Sequence, residues 1–277
     1  KAMYEMYGLG DDSFVGILSG YWNWLKELAQ LNLGTSFVYG IPVAQVIVEH
    51  MGISFAIALI ATVFEFMIAI PLGITAATHQ YSLRDYIVTI LVMIGISLPS
   101  FFFGQMLKDI LAIKLGWFPV SGMQTANSQD WTPMAKFWDK MYHLALPLIV
   151  MTFTSLGSMT RYVRASMIEA LSLDCIKTAR AKGLKEKAVI YSHAWRNALI
   201  PIVTLVVGWF LGIFGGSLVI ESMFALNGMG RLMIQSLRTA DYDVVLLMQM
   251  FYVAMALLGN LITDILYAVV DPRVRIA

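Results

Sequence analysis

The chain has 277 residues, 58% of them hydrophobic and 13% charged, with a mean hydropathy of +0.71. A soluble domain is typically about 45–50% apolar and about 25% charged, so these proportions exclude an ordinary soluble fold and point to a chain embedded in lipid. A net charge of +1 leaves no basic footprint for nucleic acid, and a single cysteine, Cys175, excludes a disulfide framework or a multi-cysteine zinc site.

Residues 1–50 are of mixed character and are expected to form an extracytoplasmic segment. Phe14, Ile17, Leu18, Tyr21, Trp22, Leu25 and Leu28 recur at three- and four-residue spacing. That spacing predicts an amphipathic helix, with Asp11, Asp12 and Ser13 as candidate N-caps. The plainer expectation is a helix on the membrane surface, with Trp22 and Trp24 in the aromatic belt. The alternative is an external element that contacts a partner, and one helix can serve both ends.

A spanning helix needs about 20 mostly apolar residues. Five stretches meet this: Met51–Thr78, Tyr86–Leu107, His143–Thr160, Ala198–Ile220 and Val244–Val270. Their only charges are Glu65 and Asp264. Pro71, Gly73, Pro99, Pro147, Pro201 and Gly208 punctuate them, which membrane helices tolerate when neighbours satisfy the freed backbone groups. Lysine and arginine concentrate between the third and fourth stretches (Arg161, Arg164, Lys177, Arg180, Lys182, Lys185, Lys187, Arg196), in the first connection (Arg84) and in the tail (Arg273, Arg275). The positive-inside rule places these regions, and the C-terminus, in the cytoplasm. Five crossings then leave Lys1 outside, with no signal peptide to carry it there. The expectation is a sixth, N-terminal span outside this sequence.

The cytoplasmic segment 161–197 is the most informative part of the chain. It reads as helices broken at Gly183: a run from Arg164 to Leu173, a short basic helix from Ile176 to Lys182 with Asp174 or Thr178 as cap, and a run from Lys185 to Asn197 into the next span. Gly183 suits a left-handed C-terminal cap. A short helix across the membrane mouth, tied to two spanning helices, is a lever. The plainer alternative is a basic loop drawn to anionic lipid, worth about 1 kcal/mol per cation.

These residues resemble the coupling loop of ABC-importer permeases, the EAA loop, which keeps a glycine with an alanine four positions before it and a glutamate six before. Gly183 and Ala179 match, while Lys177 stands in the place of the glutamate. The stretch DCIKTARAKGL followed by HAWRNALIP is similar to the peptide/nickel subfamily. So are Gly8-Leu9 with Leu33-Gly34-Thr35-Ser36-Phe37, Ser97-Leu98-Pro99-Ser100-Phe101, Leu115-Gly116-Trp117-Phe118-Pro119, Asn227-Gly228-Met229-Gly230-Arg231 and DILYAVVDPR from Asp264 to Arg273.

The resemblance implies the first of that family's two permease subunits, with an all-α, polytopic type I ABC-importer transmembrane domain over 51–270 and a cytoplasmic tail at 271–277. It implies a second homologous permease, two ATP-binding subunits, an extracytoplasmic substrate-binding protein and the surrounding lipid as partners. The cargo would be di- or oligopeptides, or nickel chelates in one branch. The ATPase-contacting residues would be Asp174, Ile176, Lys177, Thr178, Ala179, Arg180, Ala181, Lys182, Gly183, Leu184 and Lys185. ATP would bind the partners, because no phosphate-binding motif is present here. The setting implied is the cytoplasmic membrane of a prokaryote.

Other polar residues carry competing readings. Glu65 at mid-span costs roughly 2.5–3.5 kcal/mol on insertion scales, so it is expected to face a cavity or a partner. It is either a pathway residue or a protonated or hydrogen-bonded group packed between helices. Asp264 is expected to make an interhelical hydrogen bond, Glu221 to be solvated at an outer helix end, and Lys108 and Asp109 to reach the interface. Gly228-Met229-Gly230 is expected to be a turn. His193 either faces the ATPase or hydrogen-bonds within its loop. The other histidines (His50, His79, His143) show no metal-ligand spacing, and no catalytic constellation appears. The rival function is an ion-driven secondary transporter using Glu65 and Asp264. It would favour inverted repeats, and none is evident. A membrane-embedded enzyme would need converging catalytic groups.

Overall fold

The computed structural model describes residues 13–270, and within that range the side chains at 200, 204, 205, 207–211 and 266–270 lie outside the description. The Gly8-Leu9 motif, the tail 271–277 with Arg273 and Arg275, and the N-cap candidates Asp11 and Asp12 fall outside the described residues.

Helix α1 (Phe14–Ala29) begins at Ser13, whose hydroxyl accepts from the Gly16 amide at 3.1 Å. Its apolar stripe is there, but Phe14, Ile17, Leu18, Tyr21 and Trp22 face outward and are exposed. Helices α2 (Val43–Thr78) and α5 (Pro133–Ser172) form the axis of the fold. At about 1.5 Å per residue they run to about 54 and 60 Å, well beyond a hydrocarbon core of about 30 Å. Both continue through their internal prolines, Pro71 and Pro147.

The two helices meet closely because small residues line the seam. A Cβ on Gly73 would stand 2.6 Å from Val163 and 2.9 Å from the Thr160 carbonyl, and Ala69, Ala76 and Ala77 beside it are buried. Small residues do this in membranes, where lipid removes the hydrophobic drive and helix association rests on close contact. Helix α3 (Leu83–Ser97) lies against α5 in the same way. A Cβ on Gly157 would overlap Ile96 and approach the Val92 carbonyl.

The second apolar run is not a straight span. Leu98 and Pro99 are both extended, and α4 (Ser100–Leu107), which continues as a π-helical turn over Lys108–Lys114, leaves α3 at 101°. Proline disfavours helical geometry in the residue before it, so the break falls at Leu98. The run Ala198–Ile220 is also divided. Helix α8 (Trp195–Gly212) ends in a 3-10 turn at Ile213–Gly215, Gly216 takes φ +66°, and α9 (Leu218–Met223) follows. Helices α10 (Met229–Arg238) and α11 (Tyr242–Val270) complete the order. Among the described residues, α2, α5 and the 242–265 part of α11 are long and apolar enough to cross a bilayer, and the bent α3–α4 pair is together apolar enough to form either a broken span or a re-entrant loop.

Three apolar clusters follow α2 from end to end. One joins its start to α10 and α11, through Val43, Val46, Leu232 and Met248. The second joins its middle to α5 and α9, through Ile57, Leu146, Val150 and Phe224. The third joins its far end to the α5 terminus and the segment beyond, through Ile74, Met167, Ile176 and Val189.

Polar residues complete the frame, and here several expectations are overturned. Glu221 is not solvated: it is 2% exposed. Its carboxylate accepts from the Ser54 hydroxyl at 2.7 Å, the Ser217 amide at 3.0 Å, and the Gly230 and Arg231 amides at 2.7 and 3.3 Å. The Ser54 oxygen in turn accepts from the Met229 amide at 2.7 Å. Gly228 and Gly230 are thus more than a turn. They open α10, whose free amides hold a carboxylate as helix N-termini hold anions, and a Cβ on Gly216 or Gly228 would overlap that carboxylate. Lys108 does not reach outward but donates to the Met223 carbonyl at 2.9 Å, capping α9, while Asp109 accepts from Gln105 at 2.8 Å. Asp264 is exposed on α11 and makes no hydrogen bond among the described residues.

Replacing Glu221 by alanine strands several buried donors at about 1–3 kcal/mol each. The purified protein should lose at least about 2 kcal/mol of stability, and Glu221→Gln, which keeps one acceptor oxygen, should lose less. Thermal melting in detergent decides this, and equal melting temperatures for the two variants would contradict the network.

Candidate functional site

Helix α5 stops at Ser172, Leu173 is extended (φ −62°, ψ 146°), and α6 (Asp174–Ala181) begins at once in a new direction. Neither Asp174 nor Thr178 caps it. Leu173 holds the N-cap place without a side-chain bond, Asp174 lies in the first turn, and the Thr178 hydroxyl donates to the Asp174 carbonyl at 3.0 Å. An acidic residue there still suits the positive end of the helix dipole.

The other end stops as the glycine predicts. Gly183 has φ +76°. Its amide donates to the Arg180 carbonyl at 2.9 Å, and the Leu184 amide donates to the Ala179 carbonyl at 3.3 Å. Together these form the two-bond left-handed cap that ends many helices. A Cβ at Gly183 would meet nothing within 4 Å, so only the backbone angle demands glycine.

The residues of α6 divide cleanly between two faces. Ile176 is fully buried and Ala179 is 6% exposed, in the cluster that joins α2, α5 and the start of α8. Asp174, Lys177, Thr178, Arg180, Ala181, Lys182, Gly183, Leu184 and Lys185 are exposed, with Cys175. Lys177 pairs with Asp174 at 2.8 Å, with both side chains largely in solvent; such a pair contributes about 0–1 kcal/mol. Arg180 grips Glu186 with two bonds, at 2.6 and 3.2 Å, across the Gly183 turn. The guanidinium holds the Glu186 carboxyl below the usual carboxylate range. Its contribution is therefore present at neutral pH and is lost only as pH falls through that depressed value.

Beyond the turn lie α7 (Glu186–Ala188) and a π-helical turn over Val189–Ala194, which feeds α8. Val189 and Ala194 are fully buried against the same cluster as Ile176. Asn197 donates to the His193 carbonyl at 2.7 Å, and the His193 side chain is exposed. One contact escaped the sequence reading: Arg164 of α5 holds Asp85, at the start of α3, with two bonds of 2.9 Å. It fastens α3 to α5 at the α6 end of the fold.

Glu65 lies apart from this segment. It is 6% exposed and lines an open cavity of about 430 Å³ with Thr62, Ser155, Ser158 and Ser217. Asp264 does not line this cavity, so the structure does not bring the two acidic residues of the spans together. Among the described residues no cluster of three metal-ligating side chains forms.

Residues 69–276 match the model of the "Binding-protein-dependent transport system inner membrane component" family. The chain belongs to that family. This permease is 38% identical over 272 residues to the oligopeptide transport system permease protein AppB of Bacillus subtilis (strain 168), covering 98% of this chain and 83% of that one. It is 35% identical over 256 residues to the oligopeptide transport system permease protein OppB of Haemophilus influenzae, covering 92% and 79%. The inward-facing MetNI methionine ABC transporter superimposes with a TM-score of 0.61 at 15% identity, over 83% of this chain and 98% of that chain. An amino acid ABC transporter solved with histidines gives 0.57 at 10% identity, over 80% and 93%. The permease thus has the type I ABC-importer transmembrane fold and is a membrane component of a binding-protein-dependent import system.

Ile176 is the larger of the two α6 side chains, with Ala179, that fill the buried core beneath the helix. Ile176→Ala should cost about 2–5 kcal/mol by the usual cavity and transfer terms. The loss should be local: hydrogen exchange of amides 174–184 should speed up while the α2–α5 seam keeps its protection. Unchanged protection at 174–184 would contradict the anchoring.

Proposed function

We propose that this chain is one of the two permease subunits of a peptide importer, forming half of the pathway across the cytoplasmic membrane of a prokaryote. The single observation that carries the mechanism is the build of α6: one face is fixed into the ends of α2, α5 and α8, and the other is charged and bare. A rigid-body push on that bare face tilts three membrane helices at once. Two ATP-binding subunits would supply the push from the cytoplasm. An extracytoplasmic binding protein would deliver cargo at the opposite end, near α9 and α10. The peptide assignment is supported by the oligopeptide permeases among its relatives, and the two-permease arrangement by the family.

In this reading 1–50 lies outside the membrane, 51–270 is the transmembrane domain with its coupling segment at 161–197, and the tail 271–277 is cytoplasmic. ATP binding draws the ATPases together, α6 moves, and the bundle exchanges outward for inward access. The cargo must have different affinities for the two states for the cycle to be driven. Glu65 belongs to the pathway. Hydrolysis belongs to the partners, and this chain needs no cofactor of its own.

Gly183→Glu tests the coupling role. The new side chain projects into open space, so the protein should insert and assemble. The left-handed angle costs about 1–2 kcal/mol, and the added negative charge lies in the contact face. In proteoliposomes containing the complete transporter, peptide uptake should fall by at least tenfold (about 1.4 kcal/mol or more) while ATP is still hydrolysed. Normal uptake would remove α6 from the coupling role.

A further inference from the structure

Glu65 has an unusual setting for a charged group in a membrane helix. It is buried, it lines the open cavity between α2, α5, α8 and the turn before α9, and it makes no hydrogen bond or ion pair among the described residues. No lysine, arginine or histidine is among the described residues that line that cavity. Among the described lining residues, its other polar groups are the hydroxyl-bearing side chains of Thr62, Ser155, Ser158 and Ser217, and the rest are apolar or glycine. Ser155 and Ser158 are three residues apart and so share one face of α5. Its volume of about 430 Å³ lies within the range of small-ligand sites, about 300–1,000 Å³.

This donor and acceptor set has a definite complement. A lone carboxylate in low dielectric takes a cation, and a primary ammonium offers it a charge-assisted hydrogen bond. Serine and threonine hydroxyls both donate and accept, which suits the N–H and C=O of an adjacent peptide group. The apolar walls accept a side chain without reading its polarity. The groups a carrier of varied peptides can always rely on are the terminal ones and the backbone amides, since side chains differ from one peptide to the next. We propose that this cavity receives the N-terminal end of a peptide in transit, with Glu65 as counter-ion of its α-ammonium and Ser155 and Ser158 as partners of its first peptide group. The assignment rests on the peptide reading given above and goes beyond it by naming the site and the group recognised.

The experiment uses the complete transporter in proteoliposomes with its binding protein. The probes are trialanine, N-acetyl-trialanine and N-acetyl-alanyl-lysyl-alanine. For each, the uptake rate of the native transporter is divided by that of the Glu65→Gln variant, which cancels whatever the binding protein selects. The ratio should reach about tenfold or more for trialanine, the range expected for a charge-assisted pair, and stay near one for both acetylated peptides. Equal ratios for the three probes would overturn the assignment. So would a lysyl probe that follows trialanine, because Glu65 would then read any ammonium.

Two further variants guard against a folding artefact. Glu65→Asp keeps the charge and should keep the preference for a free terminus. Ser155→Lys leaves Glu65 intact but places a tethered ammonium in the cavity, and it should selectively slow trialanine. If Glu65→Gln instead dissociates the two permeases while Glu65→Asp does not, Glu65 pairs with the neighbouring subunit and the assignment fails. A native transporter that imports none of the three peptides but does import another cargo would refute the peptide reading itself, and this site with it.

Discussion

The close approach of α2 and α5 at Gly73 is the constraint on which the rest of the structure depends. Lipid gives two apolar helices no reason to prefer each other over acyl chains, so their pairing rests on backbone proximity and shape. Gly73 against Val163 and the Thr160 carbonyl, with Ala69, Ala76 and Ala77 alongside, supplies that proximity. The two features to which the proposed function assigns transport both depend on the seam. The cavity holding Glu65 lies between the same two helices, and α6 stands on their common end. A shift of one helix against the other therefore reshapes the cavity and moves α6 together. A coupled machine needs that linkage.

Two buried carboxylates show opposite uses of a costly group. Glu221 is fully accounted for. A serine hydroxyl, a turn amide and the first amides of α10 all donate to it, and two glycines, Gly216 and Gly228, make the room. It bolts α2 to the α9–α10 corner. Glu65 faces a cavity and makes no hydrogen bond or ion pair among the described residues, so its cost is not recovered there. Buried polar groups are normally satisfied, and a buried carboxylate that faces a cavity is the one the proposed function assigns to the pathway. Arg164 and Asp85 repeat the bolt at the other end, so the bundle carries a charged-group fastening at both ends.

Local chemistry was legible in the sequence. Gly183 announced a left-handed helix end, because that conformation is set by one residue and its absent Cβ. The amphipathic α1 and its Ser13 cap follow from local spacing, but the two faces of α6 do not: Ile176 and Ala179, expected among the ATPase-contacting residues, are buried in the core beneath the helix. Properties that depend on distant partners were not legible. Ser54 and Glu221 are 167 positions apart, and Arg164 and Asp85 are 79 apart, so nothing near either residue betrays the pairing. Hydropathy averages over a window, so it ran straight through the 101° bend at Leu98 and Pro99 and through the turn after Gly212. Asp264 was assigned an interhelical bond because ionisable groups in spans usually have one, and its helix instead presents it outward.

The central claim is that the bare face of α6 is the surface a nucleotide-driven subunit grips. Placing a photo-reactive amino acid at Thr178, which is exposed and carries no part of the anchoring core, tests this in the assembled transporter in native membranes. The account predicts a covalent adduct between this chain and an ATP-binding subunit, with a yield that changes between the nucleotide-free and ATP-bound states. Adducts formed with lipid alone, in every nucleotide state, would contradict it.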